Sequence, residues 1–124
     1  MQNYKPENYN AVSPYLIVAN VDKMIEFLST TFNARLVDKR VNANGQVQHA
    51  ALKIDDSIVM LGERSNTMPA STHVYVTDVD TCYQRALQAG ATSISAPVDR
   101  DYGDRSAGVI DPLGSYWWLG THKA

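Results

Sequence analysis

The chain has 124 residues, enough for one compact domain with a real hydrophobic core. Hydrophobic residues make up 44% of it and charged residues 19%, which excludes a disordered chain or a coiled coil, and a formal net charge of -2 with interspersed signs leaves no footprint for nucleic acid or an anionic membrane. No run reaches the roughly 18 apolar residues of a membrane span, Met1 to Asn10 is polar rather than signal-like, and the single Cys82 permits no intramolecular disulfide, so the sequence reads as a cytoplasmic protein.

After an arm over residues 1–12, the β-branched and aromatic run Tyr15 to Ala19 predicts a short strand. Asn20 stands at an N-cap position, and Val21, Met24, Ile25, Leu28 and Phe32 then follow helical spacing. Three strands are expected next, Arg35 to Val41, Gln46 to Ile54 and Ser57 to Leu61, with Asn44-Gly45 as a hairpin turn. Glu63, just beyond, reads as a solvated rim charge, and Thr67 to Ala70 as a linker.

The order then starts again. His73 to Thr77 predicts a strand, Asp78 an N-cap, and Val79, Cys82, Tyr83 and Ala86 the buried face of a second helix ended by Gly90. On that face Cys82 is expected to be a small core hydrophobe rather than a reactive thiol. Strands follow at Thr92 to Ser95, Ser106 to Ile110 and Ser115 to Gly120, and Asp111-Pro112-Leu113-Gly114 reads as a β-turn.

The second half repeats the first. A shift of about 58 positions lays Ser13 to Asp22 on Ser71 to Asp80, and the same shift lays Ile58 to Gly62 on Tyr116 to Gly120. One register serving both ends of the unit argues for two tandem β-α-β-β-β copies, residues 13–66 and 71–122, in a single α+β domain.

Strand alternation sorts the side chains. Leu16, Val18, Val74, Val76, Trp117 and Leu119 form aliphatic or apolar faces suited to packing on helices. The mixed faces carry Tyr15, Met60, His73, Tyr75, Tyr116 and Trp118, and would line a concavity. Adjacent tryptophans cannot share a layer, so with Trp117 on the helices Trp118 offers a planar surface for a flat ligand. Tyr102 and Arg105 fall in the charged stretch Asp99 to Arg105, read as a rim loop whose Arg105 could anchor an anionic or carbonyl group. His49 is assigned to neither face, and His122 is expected to be exposed beyond the last strand.

The tandem order, with the segments Tyr102 to His122, His73 to Asp80 and Arg85 to Ala91, resembles the vicinal-oxygen-chelate superfamily, which includes glyoxalases, extradiol dioxygenases and bleomycin-resistance proteins, and within it the PhnB-like or bleomycin-resistance-like branch. The resemblance implies two βαβββ units forming a cupped, half-barrel mixed sheet with helices outside. It also implies a homodimer. Metal-dependent members place ligands on the first and last strands of each copy, where this chain has Ser13, Met60, Ser71 and Trp118, none a customary ligand. No cofactor, metal site or catalytic residue is therefore assigned.

The reading is a metal-independent protein that sequesters a flat, partly apolar small molecule, with Tyr15, Met60, His73, Tyr75, Tyr102, Arg105, Tyr116 and Trp118 at the ligand. Three alternatives stand beside it. One is a metal-dependent glyoxalase-like lyase, isomerase or dioxygenase with an atypical ligand set around His73, which lies two residues beyond Ser71 on the same face. Another is a metal-free enzyme with His73 as general base. The last is an interaction module whose cup is filled by its own side chains.

Overall fold

The computed structural model describes residues 4–123, so the first three residues of the expected arm lie outside the described residues. The elements run β1 (Tyr15–Val18), α1 (Val21–Phe32), β2 (Arg35–Val41), β3 (Val47–Ile54), β4 (Ser57–Glu63), β5 (Ser71–Tyr75), α2 (Val79–Gln88), β6 (Thr92–Asp99), β7 (Asp104–Ile110) and β8 (Tyr116–His122). They build two four-stranded mixed sheets, in the order β1-β4-β3-β2 and β5-β8-β7-β6. Among the described residues no strand of one sheet pairs with a strand of the other, so the sheets are not closed into one layer.

The internal repeat is kept at the level of register. Parallel pairing sets Tyr15 opposite Met60 in the first sheet and His73 opposite Trp118 in the second, both displaced by the shift seen in the sequence. Both helix starts are capped twice over. Asn20 Oδ1 accepts from Lys23 N and Asp78 Oδ1 from Thr81 N, while Glu63 Oε1 accepts from Val21 N at 2.9 Å and Thr121 Oγ1 from Val79 N at 2.9 Å. Glu63 is thus not a free rim charge. It ties the end of β4 to the first turn of α1, where helical N–H groups lack partners, and its Oε2 accepts from Gln46 Nε2.

One core serves both units. Leu16, Val18, Leu52, Leu61, Val109, Trp117 and Leu119 from the two sheets cluster with Val21, Met24, Phe27 and Leu28 of α1 and Val79, Cys82 and Ala86 of α2. Trp117 is fully buried and meets α1 through Phe27 and Phe32, with ring centroids at 6.4 and 5.3 Å. Burying roughly 200 Å² of indole at about 25 cal/mol/Å² stabilises by on the order of 5 kcal/mol. That contact explains why α1 buries a wider stripe than its spacing predicted. Phe27 and Thr31 are buried as well, because α1 packs on its own sheet and on the second unit.

Several boundaries move. β6 runs to Asp99 instead of stopping at Ser95, since Pro97 is accommodated within the register shift between Ser95 and Val98 against β7. An edge strand tolerates that arrangement, as no neighbour needs the missing N–H. β7 begins at Asp104, two residues early. The linker contributes an isolated bridge between Met68 and Ile17, and from the arm Asn10 Oδ1 accepts from Ile58 N at 3.0 Å. The turn residues behave as expected: Gly45, Gly90 and Gly114 all take positive φ.

Candidate functional site

Each sheet turns one face to the helices and leaves the other without helical cover. Alternation on the first sheet places Tyr15, Ile17, His49, Met60 and Gly62 on the open face. On the second sheet the open face carries Ser71, His73, Tyr75, Tyr116, Trp118, Gly108, Asp104 and His122. Large rings stay accessible there: Tyr15 is 47% exposed, Tyr75 60%, Tyr116 42% and Trp118 37%. The mixed faces inferred from the sequence are therefore the open faces, but one chain presents them on two separate sheets.

Trp118 lies flat on the second sheet, and the reason is local. A Cβ on Gly108, its cross-strand partner, would stand 2.7 Å from the indole Cζ3, so only glycine lets the ring settle on the backbone. Trp118 Nε1 donates to Ser71 Oγ at 2.8 Å, which fixes the ring's direction. Tyr116 stands beside it at a centroid distance of 6.3 Å. The outer face of the indole remains free for stacking. Gly62 and its repeat counterpart Gly120 leave similar space, beneath Tyr15 and beneath His73 and Tyr75.

A second polar feature lies at the other end of this face. Asp104, only 6% exposed, accepts from Tyr75 Oη at 3.0 Å and approaches His122 Nδ1 at 2.7 Å. The bond to His122, with that to Tyr75, holds the Asp104 carboxyl below its ordinary range against the opposing effect of burial. An ionised carboxylate cannot donate, so His122 Nδ1–H is the donor. Hydrogen bonding to Asp104 correspondingly pushes the Tyr75 phenol up. His73 meets Tyr75 edge-on, at a centroid distance of 4.6 Å. His122 is exposed as expected, but it ends β8 instead of lying beyond it and is held by Asp104. The bond between β7 and β8 was invisible in sequence, because it depends on antiparallel pairing of Asp104 with His122.

Arg105 requires a correction. It belongs to β7 rather than to a loop, because the connection from β6 shrinks to a tight turn at Arg100 to Gly103. Its side chain alternates away from Asp104, and its guanidinium contacts both oxygens of Asp80, at 2.9 and 3.0 Å, and Asp99 at 3.3 Å. Two carboxylates already engage it; the bond to Arg105 holds the Asp80 carboxyl below its ordinary range, and Lys123 together with Arg105 does the same for Asp99. Tyr102 sits in the short turn and is 65% exposed. On the first sheet, His49 shares the face of Tyr15, edge-on at 5.7 Å, and its buried Nδ1 has no partner among the described residues.

The donor set does not suit a divalent ion. Of the four positions where the family resemblance places ligands, Ser71 Oγ is engaged by Trp118 Nε1, and Met60 and Trp118 offer no anionic or imidazole donor. Among the described residues no group of three or more His, Cys, Asp or Glu side chains is arranged to hold a metal.

Comparison with known proteins agrees with this architecture. Residues 10–119 match the model of the glyoxalase/bleomycin resistance protein/dioxygenase superfamily. An uncharacterized protein of Mycobacterium bovis is 39% identical over 124 aligned residues, covering 89% of this chain and 82% of its own, and one of Mycobacterium tuberculosis is equally similar over 73% of its length. Among solved structures, TioX from Micromonospora sp. ML1 superposes with a TM-score of 0.78 at 25% identity, covering 91% of this chain and 98% of that one. The PhnB protein from Bacillus cereus (0.74, 15% identity, 90% and 99% covered) and the Mn(II)-bound fosfomycin resistance protein FosX from Listeria monocytogenes (0.73, 18%, 93% and 92%) share the fold. With the tandem units, their shared register and the family match in agreement, the chain belongs to the glyoxalase/bleomycin resistance protein/dioxygenase superfamily, the vicinal-oxygen-chelate proteins.

Proposed function

We propose that this protein binds a flat, partly apolar small molecule without a metal ion, stacking it on Trp118 on the open face of the second sheet. The observation that carries the reading is the glycine-seated, hydrogen-bonded indole with one face free. A tryptophan held in one orientation at a strand centre loses little entropy on binding, which suits recognition of a planar ring. Tyr116 flanks the ring, and the Tyr75–Asp104–His122 group supplies polar contacts at the ligand's edge. Arg105, engaged by Asp80 and Asp99, plays a smaller part than the rings.

The protein acts as a homodimer in this reading. Tyr15, Ile17 and Met60 form a second uncovered face in the same chain, and pairing the first sheet of one copy with the second sheet of another would enclose a ligand between them. The setting is cytoplasmic and the role is sequestration of a drug or metabolite, as the bleomycin-resistance name of the superfamily suggests. A thermal-shift screen of planar aromatic compounds, followed by tryptophan-fluorescence titration, tests the proposal. Trp118→Ala should weaken any hit by roughly tenfold or more while the far-UV circular dichroism stays unchanged. Hits that bind the variant as well as the native protein would refute the site. A single monomeric mass by light scattering at all concentrations would refute the dimer.

One observation favours a metal-free proton-transfer reading instead. The carboxylate that orients an imidazole is found on His122 rather than on His73. If the bound compound is converted, conversion should disappear in His122→Ala and persist in His73→Ala. Recovery of every hit unaltered after long incubation removes this reading.

A further inference from the structure

The open sheet faces do not account for a cavity of about 940 Å³ that lies between the two units. Its walls come from the end of α1 (Thr31, Phe32, Asn33), the start of β2 and end of β3 (Arg35, Lys53, Ile54), and the first turns of α2 (Asp78, Thr81, Cys82, Arg85). Tyr75 and His122 close one side. Three cations from three different elements therefore line it.

Arg35, Lys53 and Arg85 make no ion pair and no side-chain hydrogen bond among the described residues, whereas Lys39, Arg40, Arg105 and Lys123 are each paired with an aspartate. Two carboxylates share the cavity, Asp55 and Asp78. Asp78 is committed, since Oδ1 accepts from Thr81 N and Oδ2 from Thr81 Oγ1, and these bonds hold its pKa low. The local balance is positive in a chain whose net charge is -2.

We propose that this cavity is a second binding site, for the phosphate or carboxylate group of a small organic acid. Arg35 and Arg85 hold the anion through charge-assisted hydrogen bonds, with Lys53 as a further point charge. Phe32, Ile54 and Val76 offer apolar wall to the body of the ligand. Trp118 does not line this cavity, although Tyr75 and His122 border both it and the open face of the second sheet.

The test is a titration of the full-length protein with phenyl phosphate, and in parallel with inorganic phosphate, followed by residue-resolved amide and arginine side-chain NMR. The expected result is saturable shifts at Arg35, Lys53, Thr81 and Arg85, with Trp118 Nε1 unmoved. Arg35→Gln/Arg85→Gln should weaken binding by roughly tenfold or more, as loss of hydrogen bonds to a charged group implies. A charge-matched control, Lys23→Gln/Arg64→Gln, removes two cations outside the cavity and should leave the affinity unchanged. Saturation by phenyl phosphate with a weaker response to inorganic phosphate supports use of the apolar wall. Shifts that never saturate, equal weakening in the control pair, or shifts confined to Trp118 overturn the proposal.

Discussion

The turn at Asp111 offers a sharp test of how this fold is held together. Asp111 is only 3% exposed, and its carboxylate accepts three hydrogen bonds: from Leu113 N at 2.7 Å, Ser115 N at 3.2 Å and Trp117 Nε1 at 2.7 Å. Asp111→Ala deletes all three acceptors at once. Trp117 is fully buried and Ser115 is 1% exposed, so neither N–H can turn to water. Each orphaned buried donor costs about 1–3 kcal/mol, and the more accessible Leu113 bond adds about 1 kcal/mol. The expected loss is therefore about 3–7 kcal/mol, a large part of the roughly 5–15 kcal/mol typical of a domain. Urea unfolding at fixed protein concentration reads it directly: with m near 2 kcal/mol/M, the midpoint should fall by roughly 2 M. Asp111→Asn should lose less, since its carbonyl can still accept from the turn amides. In a cycle with Trp117→Phe, the pair should show coupling of about 1–3 kcal/mol. A stability loss under about 1 kcal/mol for Asp111→Ala would refute the claim that this carboxylate joins the turn to the core.

Three further outcomes follow from individual contacts. Because His122 and Tyr75 lower the Asp104 pKa in the folded state, that contribution is complete above the unfolded carboxylate value of about 3.9 and is lost as pH falls through the folded value; His122→Ala should flatten the loss of stability on acidification, and an unchanged acid profile would contradict the assignment. Burial pushes the Cys82 thiol up to about 11, so at pH 8 about one thiol in a thousand is ionised and a disulfide reagent should label the native protein slowly and the urea-unfolded protein at once. Gly108→Ala should displace the indole of Trp118, shifting its emission and weakening ring ligands, with little loss of stability because the exposed ring can move; unaltered emission would show that the ring does not rest on the strand.

Much of this protein was legible before any coordinates. The doubled register, both N-caps, the Asn44-Gly45 and Asp111-Pro112 turns and the division of each strand into apolar and mixed faces depend on neighbours a few residues apart, and local pattern reports such relations faithfully. The tertiary structure decided what passes between distant segments. Phe27 and Thr31 became core because α1 meets the second unit as well as its own sheet, Glu63 became a helix cap through contact with Val21, and Asp104 met His122 and Tyr75 only after β5, β7 and β8 had aligned. Arg105 passed from loop to strand because two irregularities in β6 let an edge containing Pro97 keep pairing with β7. Periodicity specifies which face of an element is apolar, but one stripe can satisfy several partners, and a polar side chain's partner is chosen by where the chain returns. The sequence therefore determined the units and their inner and outer faces; packing of the two units decided which polar groups met and left three cations around a shared cavity.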